Sequence, residues 1–415
     1  MRSEGVNAPE RKTRVLHFLG AGGIGGKQRS VYQYLKAYRD DPDVEVAVAI
    51  GRDQGLYVDK IKELGVYIVQ LGLDSGLSFR FDRNVIREMR AFDIHLIPDP
   101  SPNYILYSLL AGPGVRRAFI RRGGYRPPHM FGFKKRAKLV VQRALARRVF
   151  DGFAGNTANA VRSLRDHFGV REAPVSVLYN GIDFGLLDPA RTRAEARAAH
   201  GLDDEVFAVG TACRLVDWKR VDLLLRAFAR CRVRPKKLLV FGDGPERTRL
   251  EALAAHLGVT ADVEFLGMVA AMNDHYIALD AFVLASSSAE SFGNAVVEAM
   301  YTGVPSVVMA DSAGLLEHVE DSRTGYVAED EDDLARTLER IRNQPAEAEA
   351  IAREASRAVA QKYSFENMKR AYKAFYGEVM AGPSAPGGGG GHPHVPGASG
   401  RGWLSPRGRV RQKRI

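Results

Sequence analysis

Cysteine is scarce in this 415-residue chain, which holds only Cys213 and Cys231. Two thiols in apolar or basic surroundings support no disulfide framework and no cysteine-rich metal site, and they fit a reducing compartment. Long hydrophobic runs are missing too. No apolar stretch approaches the ~20 residues of a membrane-spanning helix, and residues 1–12 are polar, without the apolar centre of a signal peptide. Acid is absent locally: residues 115–150 hold twelve Lys or Arg and no Asp or Glu, and residues 381–415 hold six and none. Removing those eighteen cations turns the net charge of +11 into −7, so a mildly acidic body carries two basic patches. Nucleic acid or an anionic membrane surface would each explain such patches. The chain is long for a single core, so two domains are expected.

What is present is organised around residues 280–305. Asp280 to Ala285 reads as a buried parallel strand, short and apolar. Ser286, Ser287, Ser288 and Gly293 make a crossing loop, and a helix is expected from Asn294 to Thr302. Such a helix turns unpaired N–H groups and its positive dipole end toward whatever lies above the strand, which suits phosphate. Glu290 and Glu298 test the alternatives. In a continuous helix their Cα atoms would stand ~12 Å apart and roughly 80° around the axis, a poor fit to the paired carboxylates of a glycosidase. The spacing suits a ligand with two polyol ends and an anionic middle, such as a nucleotide sugar. A surface Glu and a helix Glu on a solvated face remain the plain alternative.

Glu290-x7-Glu298, with Phe292-Gly293-Asn294 and Gly303-Val304-Pro305, resembles the signature of retaining glycosyltransferases of the large GT-B family, the family 4-like group typified by glycogen and sucrose synthases and bacterial lipopolysaccharide or capsule transferases. The resemblance spreads over most of residues 13–380. It implies an α/β fold of two Rossmann-like, doubly wound parallel-sheet domains facing a central cleft. It further implies that Arg214, Lys219 and the N–H groups around Phe292, Gly293 and Asn294 hold a donor diphosphate. Glu290 would bind the donor sugar and Glu298 the ribose, with no metal.

Taken in order, Thr13–Leu19 reads as the first strand, then a glycine turn, then a helix from about Arg29. Gly20-x-Gly22-x-x-Gly25 matches the dinucleotide fingerprint, which raises an NAD-dependent oxidoreductase as an alternative. The acidic partner expected ~20 residues on falls at Glu45, inside the next strand rather than at its end. Gly25-Gly26-Lys27-Gln28 also resembles the family's Gly-Gly-x-Glu turn, with Gln28 in place of Glu. Strands at Val44–Ile50, Val66–Leu71, Ile94–Ile97, Ala118–Ile120, Gly152–Gly155 and Val175–Tyr179 alternate with helices, as in a doubly wound sheet. Asp99 and the pair Arg121 and Arg122 lie at strand ends, where ligands of such sheets bind. Relatives carry a histidine near the second place. The arginines here imply an acceptor bearing phosphate or carboxylate, or merely extend the basic surface. Residues 134–150 read as a basic amphipathic helix, with Arg136, Arg143 and Arg147 on one face, able to meet an anionic membrane or to sit solvated. Few aromatics accompany it, which argues against nucleic acid. Asn180-Gly181-Ile182-Asp183 resembles the turn closing the family's first domain.

The second unit repeats the alternation, with strands at Val206–Gly210, Leu238–Phe241 and Val263–Gly267, and a last helix opened by Tyr363-Ser364-Phe365 and running to about Met380. Gly314, Glu317 and Gly325 read as structural. Five consecutive glycines, Gly387–Gly391, open a tail of disordered composition. The expected organisation is a disordered residues 1–12, an acceptor-side domain over 13–185, a linker over 186–203, a nucleotide-sugar domain over 204–363, a returning helix over 364–380, and the tail. The expected function is retaining transfer from a nucleoside-diphosphate sugar to a glycan or lipid-linked acceptor in cell-envelope synthesis, without cofactor, in the cytoplasm or on the inner membrane face. A sugar-nucleotide epimerase and a non-catalytic basic adaptor are further alternatives.

Overall fold

The computed structural model describes residues 11–382 apart from 22–24, 74–79, 99–101, 125–139, 141–142, 145, 147, 171–173 and 270–271. Asp99, Gly22, most of the expected basic helix and the glycine-rich tail lie outside the described residues.

Two parallel sheets make up the fold. The first comprises β1 (Thr13–Ala21), β2 (Val44–Arg52), β3 (Tyr67–Gln70), β4 (Ile94–Pro98), β5 (Arg116–Arg121), β6 (Gly152–Gly155) and β7 (Val175–Val177), in the order β3-β2-β1-β4-β5-β6-β7. The second comprises β8 (Phe207–Ala212), β9 (Lys236–Phe241), β10 (Val263–Gly267), β11 (Ala281–Leu284), β12 (Ser306–Met309) and β13 (Tyr326–Ala328), in the order β10-β9-β8-β11-β12-β13. The strand pairings described are parallel throughout. Sheets of this kind are covered on both faces, so their strands are apolar along their length rather than alternating. Ala47 to Ile50 in β2 are each wholly buried, as are Leu238 to Val240 in β9. This confirms the doubly wound α/β architecture expected from the alternation.

Strand order reverses beside β1 in the first sheet and beside β8 in the second. Ligands of open α/β sheets bind beyond the carboxyl ends of the strands at such switch points. The turn after β1 carries Gly25 and Gly26. The loops after β8 and β11 carry Arg214 to Lys219 and Ser286 to Gly293.

The chain crosses between the lobes twice, and the crossings are tied together. The Ile182 N–H donates to the Tyr363 carbonyl at 2.9 Å. Beyond it, the helix Phe365–Ala381 returns to the first lobe, where Met368, Tyr372, Phe375, Tyr376 and Val379 share a core with Tyr34, Leu35 and Tyr38. Gly152 lets this helix approach, since a Cβ there would stand 2.6 Å from Val379 Cγ2. Residues 190–197 are anchored to the second lobe. Asp274 accepts from the Ala190 and Arg191 N–H groups at 2.8 and 3.2 Å, and Asp280 pairs with Arg193 and Arg197 at 2.5 and 3.2 Å.

Among the buried histidines are His17, His95 and His318. His17 in β1 places Nδ1 2.9 Å from the Phe18 carbonyl, and His95 in β4 lies between Ser108 Oγ at 2.8 Å and the Met89 carbonyl at 3.0 Å. Burial pushes His17 well below the ordinary histidine range, His95 down to about 4 and His318 down to about 3. Each is therefore neutral in the folded chain and ordinary in the unfolded one. Their contribution to stability is complete above pH ~6.5 and is lost as pH falls toward the folded values, at up to ~1.4 kcal/mol per pH unit each. Glu298, pushed up by burial, acts in the opposite direction but is one group against three. Thermal unfolding followed from pH 8 to pH 5 should show a flat Tm above pH 7 and a steady fall below 6.

Candidate functional site

The two switch points face one cavity of about 820 Å³. Gly25, Gly26, Lys27, Gln28, Arg122, Asn156 and Asn180 line it from the first lobe. Arg214, Trp218, Lys219, Asp243 and residues 289–295 line it from the second.

The floor is the start of the helix Asn294–Tyr301. Gly293 precedes it at φ 67°, in the left-handed region, and a Cβ there would meet Leu315 Cδ2 at 2.3 Å. Glycine alone fits both demands. No side chain caps this helix, so its first N–H groups open into the cavity that Gly293, Asn294 and Ala295 line. The Phe292–Gly293 peptide is fixed from behind by a histidine that no motif marks in the sequence. His318 lies with Nε2 2.5 Å from the Phe292 carbonyl and Nδ1 against the Tyr363 hydroxyl. Since His318 is neutral, its Nε2–H donates to Phe292 and its Nδ1 accepts from Tyr363. The motif loop is thereby joined to the second crossing.

Beside the helix terminus, Glu290 is buried and paired with Lys219, and Ser286 Oγ donates to the same carboxylate oxygen at 3.1 Å. The Lys219 ammonium also lies 4.5 Å from the Trp218 ring centroid. Arg220, in the left-handed region at φ 49°, donates to the carbonyls of Ala285 and Ser286 at 2.8 and 3.0 Å and pairs with Asp311 at 2.6 Å. These bonds lash the loop after β8 to the loop after β11. Arg214 is exposed on the cavity wall and forms no ion pair among the described residues.

Glu298 is placed differently from its motif partner. It does not line the cavity and is 2% exposed. Arg29, from the first lobe, stands with Nη1 2.6 Å from Oε1, and Tyr276 donates its hydroxyl to Oε2 at 3.1 Å. Burial pushes the Glu298 carboxyl above its usual range, while Arg29 and Tyr276 oppose that shift.

Other contacts hold the lobes together around the cavity. Ser291 Oγ lies 2.6 Å from Asn156 Oδ1, and Asn180 Nδ2 donates to Asn294 Oδ1 at 3.4 Å. Glu317, which reads as structural in the sequence, accepts from the Ala158 and Asn159 N–H groups at 2.8 and 2.9 Å. A second-lobe carboxylate thus caps a first-lobe helix terminus. Gly124 packs so closely on the motif loop that a Cβ would stand 2.4 Å from the Glu290 carbonyl oxygen.

Of the residues singled out from sequence, Gly25, Gly26, Arg122, Arg214, Lys219, Glu290, Phe292, Gly293 and Asn294 are thus brought to one cavity. Arg121 does not line it, and Asp99 lies outside the described residues. Among the described residues no group of three or more His, Cys, Asp or Glu is placed to hold a metal ion.

Two family models match the chain: Glycosyltransferase Family 4 over residues 24–185 and Glycosyl transferases group 1 over residues 192–358. The putative glycosyltransferase EpsF of Bacillus subtilis is 29% identical over 307 residues, 71% of this chain and 78% of that protein. The D-inositol 3-phosphate glycosyltransferase of Rhodococcus erythropolis is 33% identical over 231 residues, 52% of this chain and 51% of its own length. The chain thus spans about half the length of this inositol-phosphate relative. In fold it is similar to Anabaena HepE, solved with UDP and glucose, at a TM-score of 0.75 and 21% identity, covering 88% of this chain and 99% of that one. It is also similar to the sucrose-phosphate synthase of Thermosynechococcus elongatus, at a TM-score of 0.70 and 17% identity, covering 89% and 100%. The two matched models divide the chain as its two sheets do, and the chain belongs to the GT-B glycosyltransferases of the family 4-like group.

Proposed function

We propose that this protein transfers a sugar from a nucleoside-diphosphate sugar to a glycan or lipid-linked acceptor, with retention of anomeric configuration, in cell-envelope synthesis. The observation that carries the reading is the meeting of two switch points at one cavity that combines an uncapped helix N-terminus with the largely buried Lys219–Glu290 pair. A diphosphate suits the first feature, and a sugar's hydroxyls suit the second. HepE, solved with UDP-glucose, is consistent with such a donor.

In this reading Arg214, Lys219 and the N–H groups from Gly293 to Ala295 hold the diphosphate, with Gly25 and Gly26 allowing close approach of the first lobe. Charge-assisted bonds to phosphate contribute roughly 1.5–3 kcal/mol each. The leaving phosphate gains negative charge as the glycosidic bond breaks, and fixed dipoles and cations aimed at it lower the barrier. Those groups supply the positive charge without calling on a metal. A leaving-phosphate oxygen takes the acceptor's proton on the departing face, which retains configuration. Glu290 holds donor hydroxyls and keeps Lys219 in place. The lobe contacts across the cavity exclude the water that would otherwise hydrolyse the donor.

Glu298 is assigned to the ribose, and Arg29 is its partner until the nucleotide arrives. A ribose diol offers O–H donors in place of the guanidinium, so binding is an exchange at a carboxylate already desolvated. The basic stretch over 134–150 is proposed to meet an anionic membrane.

Three outcomes follow. Glu290→Ala and Lys219→Ala should each lower transfer by 10²-fold or more while circular dichroism stays native; near-normal turnover in either would remove that residue from the mechanism. Calorimetry with UDP, GDP and ADP should find one that binds selectively, about tenfold weaker in Glu298→Ala and several-fold tighter in Arg29→Ala. NAD binding alone would favour the oxidoreductase reading instead. His318→Ala should weaken nucleoside-diphosphate binding and lower kcat together, with His318→Gln, which keeps a donor for the Phe292 carbonyl, restoring part of both. A loss confined to Tm would reduce His318 to a core residue.

A further inference from the structure

The first-lobe wall of the cavity holds a cation with no counter-ion among the described residues. Arg122 follows β5 directly, is 6% exposed and lines the cavity. Its guanidinium reaches two acceptors, His17 Nε2 at 3.0 Å and the Lys27 carbonyl at 3.4 Å. Both are neutral. His17 is itself wholly buried and gives its Nδ1–H to the Phe18 carbonyl at 2.9 Å, which leaves Nε2 as a bare lone pair facing Arg122. Burial, and then the charge of Arg122, keeps that ring unprotonated. Two of the five N–H donors of the guanidinium are therefore answered. Its Nε is buried without an acceptor, and among the described residues Arg122 forms no ion pair.

Several cations on the two lobes contrast with it, while the buried Lys236 is answered by two backbone carbonyls. Lys219 has Glu290, Arg29 has Glu298, Lys36 has Asp183 and Arg197 has Asp280. A buried, unpaired guanidinium is expensive unless something arrives to meet it. The diphosphate is already provided for on the opposite wall, where Arg214, Lys219 and the helix terminus stand. Arg121 does not share the position, because it does not line the cavity.

We propose that Arg122, positioned by the neutral His17, binds a second oxyanion, a carboxylate or phosphate borne by the acceptor or by the transferred sugar. This rests on the donor reading above, and it specifies that one partner in the reaction is anionic away from the diphosphate. The planar fork of arginine suits bidentate contact with either group.

The test uses the full chain and its Arg122→Gln and Arg122→Lys variants, first titrated with the nucleoside diphosphate that binds best. Each saturated complex is then titrated at constant ionic strength with inorganic phosphate, D-glucuronate and D-glucose. The wild type should show a saturable second event with at least one anion and none with glucose. Arg122→Gln should weaken that event tenfold or more while changing nucleoside-diphosphate affinity less than twofold, and Arg122→Lys should fall between. A response to phosphate alone identifies a phosphorylated partner, and one to glucuronate alone a sugar acid. A tenfold loss of nucleoside-diphosphate affinity in Arg122→Gln would instead place Arg122 in the diphosphate site and overturn the proposal, as would silence of the wild type to both anions. If no nucleoside diphosphate binds, the donor reading fails. The anion titrations on the unliganded wild type and Arg122→Gln still decide the role of Arg122.

Discussion

A buried charge must be paired, and at the centre of this protein that rule joins two loops distant in sequence. Lys219 follows β8 and Glu290 follows β11, and the two meet in a largely desolvated pair beside the helix terminus. Removing either would leave the other charge stranded, which costs more than the pair itself contributes. The neighbouring bonds are arranged so that neither loop can drift. The Ser287 N–H donates to the Trp218 carbonyl at 2.9 Å, Arg220 spans to Ala285 and Ser286, and Ser312 Oγ closes on the Ser286 carbonyl. The backbone is over-determined there, and this holds Arg220 in the left-handed region.

From that centre the constraint passes outward to the lobe contacts. His318 links the Phe292 carbonyl to Tyr363, whose own carbonyl receives the Ile182 N–H, and Tyr179 packs edge-on to Tyr363 with ring centroids 5.4 Å apart. The geometry of the helix terminus before Asn294 and that of the two crossings are therefore parts of one packed cluster. A shift of the lobes is felt at the Phe292–Gly293 peptide because interiors of this density do not deform smoothly. A hydrogen bond onto the Phe292 carbonyl also polarises the peptide, which strengthens its N–H as a donor on the cavity side.

The sequence was most readable where local chemistry decides structure. Continuous apolar runs marked most of the strands, and the serine–glycine loop before Asn294 marked the helix terminus, because both are properties of a few consecutive residues. Short elements such as β12 and β13 carried too little signal and went unplaced, and β7 stopped at Val177, where Val175–Tyr179 was expected. Partnerships across the fold were unreadable for a different reason. Nothing near Glu298 in sequence announces Arg29, 269 positions away, and nothing near His17 announces Arg122, 105 positions away. Asn180 and Glu317 read as turn or framework residues, and each makes a contact across the lobes.

The two glutamates of the motif show how equal spacing conceals unequal chemistry. Glu290 is paired with a lysine within reach of the cavity, whereas Glu298 sits deeper, with an arginine from the opposite lobe as its counter-ion. Burial favours the neutral form of Glu298, and the Arg29 guanidinium and the Tyr276 hydroxyl oppose that shift, so a carboxylate of the second lobe depends for its charge on a cation of the first. In the donor reading proposed above, a ribose diol would stand in for Arg29 by donating hydrogen bonds to the two carboxylate oxygens, and a neutral ligand meeting a desolvated carboxylate would be selected by the geometry of those bonds rather than by its charge.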